Sequence, residues 1–466
     1  MNIQKFSKKA LALLLAVLLC TAYLAPAVGQ SYAAAHPASV NAGKSDAQVM
    51  ADDLEQFSKR SGYDYHEAKE GDYAPNELIL EITSSPSNAA ASISSFEDEF
   101  DLKVERVLGT TEFEDEGEAQ VSSIDGGESI LTTYFMSTEE DDIIALCDAL
   151  NARDEVFNAQ PNFKYEICDE TEAADLSQPA EQPEEETSTP QNEADNPTRE
   201  TQQEPVAQEP TAPQELAATK VDENSIASYT DPAAFSTTDY INNLKWWFDY
   251  CEVSSAWSTY GDTTTGYGLG KGINVAVIDT GCNTAQEDIR DNLWTGSSGQ
   301  CGYYAYEGTN IRKDQANMDA NGHGSHCCGT IAMSGDNLVG GIGVAPKCSL
   351  MVMKADRNTG AGSFYDSEII TSLNKAKEYG ADIISMSLGG YNFSYSTYRT
   401  YQNVSSSCLI VCAAGNEGFD TSEKLHFPSA ASCVMGVMAL GNNSNKSKLA
   451  TFTNYDTSGI FYKVVA

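Results

Sequence analysis

Positive charge is scarce in this chain: Lys and Arg number 28 against 68 Asp and Glu, a formal net charge of −40. Nucleic acid is bound by clustered Lys and Arg, so the deficit excludes it as a partner. Much of the acidity sits in the N-terminal half, where it describes solubility and tails rather than a site. No pair of C-x-x-C motifs occurs among the 12 cysteines, which excludes a zinc cage of the usual spacing. No segment after the first residues is apolar enough to cross a bilayer, a task that needs a run of about 20 residues. The hydrophobic share, 41%, excludes wholesale disorder, and 466 residues are too many for one ordinary domain.

What is present begins with a basic start at Lys5, Lys8 and Lys9, followed by an apolar run from Ala10 to Leu19. Small residues come next, with Ala27, Gly29 and Ala35 as candidate cleavage points. This is the pattern of a secretory signal peptide over residues 1–35, and it predicts a secreted, extracellular protein with no membrane span once the leader is removed. Bulky Leu19 argues against lipid attachment at Cys20. Cys412 and Cys433 lie within apolar runs and read as small buried hydrophobes. Export permits disulfides, but the sequence does not pair them.

Residues 36–73 are polar and weakly patterned. Over 74–167 the periodicities predict strand, helix, strand, strand, helix, strand: Asn76–Ile82, Ser92–Phe100, Leu102–Val107, Ser129–Met136, a helix marked by Ile143, Ile144, Cys147 and Leu150, and Val156–Lys164. That order predicts a small α+β, ferredoxin-like domain. Residues 168–225 are rich in Glu, Gln, Pro and Thr, and no aromatic falls between Cys168 and Lys220. Such a stretch cannot bury enough apolar surface to offset chain entropy and predicts a disordered, self-repelling linker. From 231 to 466, short apolar runs (Ile273–Ile278, Leu350–Met353, Ile383–Met386, Leu409–Ala413, Val434–Met438) read as parallel strands buried on both faces. Between them Ile369, Ile370, Leu373 and Ala376 share a helical face, and Gly380 is a natural stop. A doubly wound, mostly parallel α/β sheet follows, with chemistry at the carboxyl ends of its strands.

Three motifs fall there: Val277-Ile-Asp279-Thr-Gly281 at a strand end, Asn321-Gly-His323-Gly-Ser-His326 before a helix read from Cys327 to Met333, and Ala413-Ala-Gly415-Asn416-Glu-Gly418 leaving another strand. Each alone is a common turn or cap. Together they are parts of an acyl-transfer site. Asp279 can hold the imidazole of a general base in the correct tautomer, and the Asn416 amide can donate to an oxyanion.

These motifs, with Gly343-Val-Ala-Pro346, Ser385-Met-Ser-Leu-Gly-Gly390 and Phe452-Thr-Asn-Tyr455, resemble those of the subtilisin-like serine peptidases, over about residues 240–466. The resemblance implies His323, rather than His326, as general base. It implies no cofactor for the chemistry and polypeptide substrates that pair as an added strand beside Gly360–Gly362 (Gly360 and Gly362 named for contact) and Ser387, Leu388 and Gly389. It places Cys327 near the catalytic His, as a packed residue or a source of mercurial sensitivity, and suggests a structural calcium site at Asp288 and Asn337. Residues 74–167 resemble the family's propeptide, an intramolecular inhibitor and chaperone. Asn158-Ala-Gln-Pro-Asn-Phe163 is similar to the end that lies in the substrate cleft. The maturation site is not fixed by sequence between Glu166 and Asp231.

The family's nucleophile stands in a Gly-Thr-Ser-Met-Ala helix start, and no Gly-Thr-Ser occurs in this sequence. Tyr462-Lys-Val-Val-Ala466 resembles the strand just before that region, so the expectation is a zymogen whose sequence stops before its serine. The alternative is a non-catalytic peptide-binding pseudoprotease. A nucleotide-binding reading of the Gly-rich pieces 266–272 and 340–343 lacks the phosphate loop and its Lys.

Overall fold

The structure, a computed structural model, describes residues 64–113, 129–168, 248, 251–260, 269–441 (apart from 314, 316, 317, 336, 338 and 339) and 449–465, together with 55 and 59. The signal peptide, most of the polar segment and the acidic linker after Cys168 lie outside the described residues.

The first unit is built on strands that alternate. In β1 (Tyr73–Ser84), Leu78, Leu80 and Ile82 face one way, and Glu77, Ile79 and Glu81 the other. The leucine face packs on α1 (Ala89–Phe100) and α2 (Ile143–Asn151) through Ile93, Phe96, Leu146 and Leu150. Asp142 caps α2 by accepting the N–H of Ala145 at 3.0 Å. With β2 (Leu102–Phe113), β3 (Ser129–Thr138) and β4 (Val156–Ile167) the order is β4-β1-β3-β2, every neighbouring pair antiparallel.

The second unit begins, among the described residues, with α3 (Val253–Tyr260) and holds an eight-stranded sheet of order β14-β13-β12-β10-β5-β8-β6-β7. Its middle is formed by β5 (Asn274–Asp279), β8 (Ser349–Lys354) and β10 (Ile383–Met386); β12 (Leu409–Ala413), β13 (Met435–Met438) and β14 (Tyr462–Val465) extend it one way, and β6 (Gln300–Tyr304) and β7 (Thr309–Arg312) the other. All neighbours are parallel except the β6–β7 hairpin. The apolar runs are long enough for both faces to be buried. Ala276, Ile278, Met351, Met353, Ile384 and Met386 point into one core, and Val275, Val277, Leu350, Val352 and Ile383 into the other. The first core is covered by α5 (Asp366–Glu378) and α6 (Tyr395–Ser405). Gly380, at φ +75°, ends α5 where the sequence reading expected a stop. Helix α4 (His323–Ala332) starts at the histidine itself, four residues before the expected Cys327. Chain path turns outward in opposite directions from β5, so the crevice at its carboxyl end is the natural place for chemistry.

The units meet along α5 and α6. Ile79, Leu108 and Phe135 pack on Ile370, and around that patch the contacts are polar. Arg357 donates to both oxygens of Glu77 at 2.7 and 2.6 Å and reaches Glu368 at 3.3 Å. Glu81 pairs with Arg399, and Arg106 donates to the carbonyls of Ala305 and Tyr306. Glu368 is wholly buried, and burial raises its pKa to about 7.

Removing Arg357 strands that carboxylate beside Glu77. Arg357→Ala should lower the unfolding free energy by about 3–5 kcal/mol, the usual cost of leaving one member of a buried pair alone. Urea unfolding measures it, and a loss below about 1 kcal/mol would show the pair to be solvent-screened.

Candidate active site

Asp279 is the last residue of β5, and the turn after it comes within backbone contact of α4. Gly281 has φ +116°, and a Cβ there would meet the Met318 carbonyl at 2.2 Å; a Cβ on Gly324 would meet the Gly281 carbonyl at 2.2 Å. Two glycines thus let the strand end and the helix start approach closely enough for their side chains to bond. His323 Nδ1 lies 2.7 Å from Asp279 Oδ1, which also accepts the N–H of Thr280 at 2.7 Å. Asp279 is fully buried, and the His323 side chain is 14% exposed, open on one side only.

Around this pair stands a residue that the sequence reading passed over. Asp319 Oδ1 accepts from the Thr280 hydroxyl and the Gly322 N–H, each at 2.8 Å, and Oδ2 accepts from the N–H and hydroxyl of Ser325 at 2.8 and 2.7 Å. Burial pushes against its charged form, but these hydrogen bonds outweigh it and lower its pKa. The carboxylate therefore satisfies the free N–H groups of α4's first turn and ties them to the Asp279 turn. The signal was an acid just before Asn321-Gly-His323, placed as a helix cap is placed. Beneath the turn, buried Lys354 donates to the Thr280 carbonyl at 2.7 Å and pairs with Asp356.

Burial opposes the imidazolium of His323. The hydrogen bonds to Asp279 and to the Cys327 thiol, with the charge of Asp279, outweigh it and raise its pKa. Cys327 Sγ lies one helical turn on, 3.8 and 3.9 Å from the two ring nitrogens. Burial raises its own pKa, so it stays a packed thiol and not a reactive thiolate. Asp279, His323 and Cys327 together form a possible metal-ligating group. A 2.7 Å bond between the first two leaves no room for an ion between them, and we assign none. His326 is exposed on α4, away from that bond.

Asn416 follows β12 in a turn that Gly415 enters at φ +99°. Asn454, from the Phe452-Thr-Asn-Tyr segment, clamps it: its amide donates to the Ala414 carbonyl at 2.9 Å and to Glu417 at 2.7 Å, and its carbonyl accepts the Phe419 N–H at 2.8 Å. The remaining pieces are joined by β4. Its last residues run antiparallel between β9 (Ser363–Tyr365) and β11 (Leu388–Gly389), pairing Tyr165 with Phe364, Glu166 with Ser363 and Gly389, and Ile167 with Leu388. Ile167 N–H donates to the Gly362 carbonyl at 3.0 Å and Cys168 N–H to the Ser387 carbonyl at 2.9 Å. Cys168 is close enough to Cys412, Glu417, Asp279 and Cys327 for their charges to act on its thiol, whose pKa burial raises strongly.

Gly362, Ser387, Leu388 and Gly389 thus line a paired strand, whereas Gly360 does not. Its carbonyl accepts from Asn321 at 3.0 Å, and the pairing runs toward Tyr365 instead, because the strand enters further along. Likewise the inserted residues are Lys164–Cys168 and not Asn158–Phe163, which lie against β1 and the helix starts. Asp288 and Asn337 come together apart from this site. Asp288 is buried, and its oxygens accept from Asn337 Nδ2 at 2.8 Å and Gly341 N–H at 3.0 Å. A hard cation takes roughly six to eight oxygens, of which Asp288 and Asn337 would supply a carboxylate and an amide oxygen.

A parallel α/β sheet thus carries a carboxylate-bound histidine at a strand end, beside a cleft that holds an extended chain. The family model "Subtilase family" matches residues 270–466. The Major intracellular serine protease of Bacillus subtilis (strain 168) is 39% identical over 189 residues, covering 40% of this chain and 55% of that protein. Subtilisin DY of Bacillus licheniformis is 32% identical over 184 residues, covering 39% and 61%. The solved structure of fervidolysin from Fervidobacterium pennivorans, a keratinolytic enzyme related to subtilisin, overlaps at a TM-score of 0.49 and 17% identity, covering 83% of this chain and 46% of that one. Over residues 270–466 the chain is similar to the subtilisin-like serine peptidases. The chain spans a little over half the length of the curated relatives it matches.

The raised imidazole gives a testable sign. A histidine whose folded pKa exceeds its unfolded value stabilises fully below about 6.5, and that contribution is lost as pH rises through the folded value. Asp279→Asn should bring the His323 pKa down by about 1–3 units, read from its ring-proton shifts by NMR across pH 4–11. An unmoved titration would sink the pairing.

Proposed function

We propose that this chain is the precursor form of an exported serine endopeptidase whose N-terminal unit, residues 74–167, occupies the substrate cleft as a propeptide. The supporting observation is the end of β4 lying between β9 and β11 in the manner of a bound substrate. On this reading peptide substrates enter as the same added strand, held by main-chain bonds at Gly362 and Ser387, which suits an endopeptidase that reads few side chains.

Asp279 keeps the His323 proton on Nδ1, so Nε2 is the nitrogen that takes the proton of a serine hydroxyl and later gives it to the leaving amine. The Asn416 amide donates to the oxyanion as the carbonyl becomes tetrahedral. On this reading the bond presented is the one following Cys168, whose N–H donates to the Ser387 carbonyl. The family's Gly-Thr-Ser does not occur in residues 1–466, so no serine among them is assigned as the nucleophile. Residues 1–35 are read as the export signal. No helix among the described residues is long and apolar enough to cross a membrane.

Protein expressed from the full reading frame should be labelled at serine by a fluorophosphonate probe, and Asp279→Asn or His323→Ala should reduce labelling by at least about 100-fold. The chain of residues 1–466 should not be labelled. A stop codon directly after Ala466, or a folded full-length product inert to the probe, overturns the peptidase and favours a peptide-binding protein.

A further inference from the structure

Tyr165 lies three residues before Cys168, and its side chain is 1% exposed although it sits on a strand laid into a cleft. It fills a recess in the main core of the α/β unit, among Phe364, Leu388, Phe393 and Phe427, with its ring 6.0 Å from that of Phe427. Apolar walls would suit any aromatic side chain. The floor of the recess is a carboxylate. Tyr165 OH donates to Asp366 Oδ1 at 2.7 Å.

Asp366 opens α5 and is wholly buried. It accepts three further hydrogen bonds: from the Thr397 hydroxyl at 2.5 Å, from Gln160 Nε2 at 3.1 Å and from the Phe163 N–H at 3.2 Å. Of these four donors Thr397 belongs to the α/β unit and the other three arrive on β4; the Ser394 hydroxyl, also of the α/β unit, bonds the carboxylate as well. When β4 leaves, the carboxylate loses three donors and keeps two hydroxyls at the base of an apolar recess. A buried carboxylate short of donors is costly, and a site built to bond a hydroxyl rejects the analogue that lacks it. Gln160 lies too far upstream for a short substrate to replace. A phenol at the position of Tyr165 reaches the same oxygen.

We infer that this recess is a tyrosine-selective pocket, reading the residue three positions before the one whose bond is cut, and that Asp366 is its specificity-determining residue. Its substrates are polypeptides with tyrosine, in preference to phenylalanine, at that place. The inference rests on the cleft reading proposed above. Burial raises the Asp366 pKa to about 6, which leaves it ionised and in need of donors at neutral pH.

The test uses the full chain carrying Tyr165→Ala and Ile167→Pro, which empty the recess and remove the Ile167 N–H bond that helps hold β4 in the cleft, and fluorescent hexapeptides of the sequence Phe-Lys-Tyr-Glu-Ile-Cys or the same with Phe in place of Tyr. The tyrosine peptide should bind about 10- to 100-fold more tightly, the worth of one hydrogen bond to a charged group. Adding Asp366→Asn should shrink the ratio to about 3-fold or less. Equal binding of both peptides overturns the pocket and leaves the cleft intact; binding of neither overturns both. The isosteric Tyr165→Phe chain gives a second reading that does not depend on folding with an emptied recess. Its Ile167 and Cys168 amides should exchange at least about 10-fold faster, and unchanged exchange counts against the pocket.

Discussion

One strand belongs to two sheets, and the arrangement of the rest depends on it. The first half of β4 pairs with β1 and completes the N-terminal unit; its last residues pair with β9 and β11 and complete a cleft in the other. Neither β9 nor β11 would count for much alone, being three and two residues long. An inserted chain gives both a partner on one strand. The cleft is therefore held by backbone hydrogen bonds that any extended peptide could make, with selectivity left to side-chain recesses at alternate positions.

The second constraint is closeness of backbone. A histidine on a helix and an aspartate on a strand end are brought to 2.7 Å only because Gly281 and Gly324 leave no Cβ between their peptide units. Asp319 and Lys354 then fix the same turn from two sides, one through N–H and hydroxyl groups and the other through the Thr280 carbonyl. The pair is thus oriented by its surroundings before any peptide arrives, which is what a general base needs to avoid reorganisation during a reaction.

Much of this was legible in the sequence, for identifiable reasons. Strands buried on both faces leave unbroken apolar runs, so β5, β8, β10, β12 and β13 could be located by eye. Helix α5 carried a clear apolar face and a glycine stop. The motif residues Asp279, His323 and Asn416 could be picked out because glycines punctuate each of them. Features that depend on contact between units were not legible. Glu77 and Glu81 alternate with leucine and isoleucine and look like a solvated face, yet they meet Arg357 and Arg399. Tyr165 falls just past the strand read over Val156–Lys164, and Asp366 just before the apolar face that begins at Ile369. Where β4 enters the cleft is a matter of register, which main-chain bonds set without leaving a mark on residue type; hence the shift from Asn158–Phe163 to Lys164–Cys168.

The chemistry of the interface also bears on why these units can part. Among the described residues, Ile79, Leu108, Phe135 and Ile370 form an apolar patch between the sheet and α5. Elsewhere β4 offers short polar side chains to helix starts: Asn162 accepts the Ser367 N–H at 3.0 Å and Gln160 the Tyr395 N–H at 3.0 Å, so one strand caps both α5 and α6. Water can take over each of those bonds once the strand withdraws, whereas an exposed apolar face of the same size would have no substitute. A surface made this way binds through geometry while both units are joined and leaves each soluble when they are not. Asp366 stands apart from that pattern, since it lies at the bottom of a recess and not on the open face. Among the groups that β4 satisfies, it is the one for which an incoming side chain substitutes better than solvent.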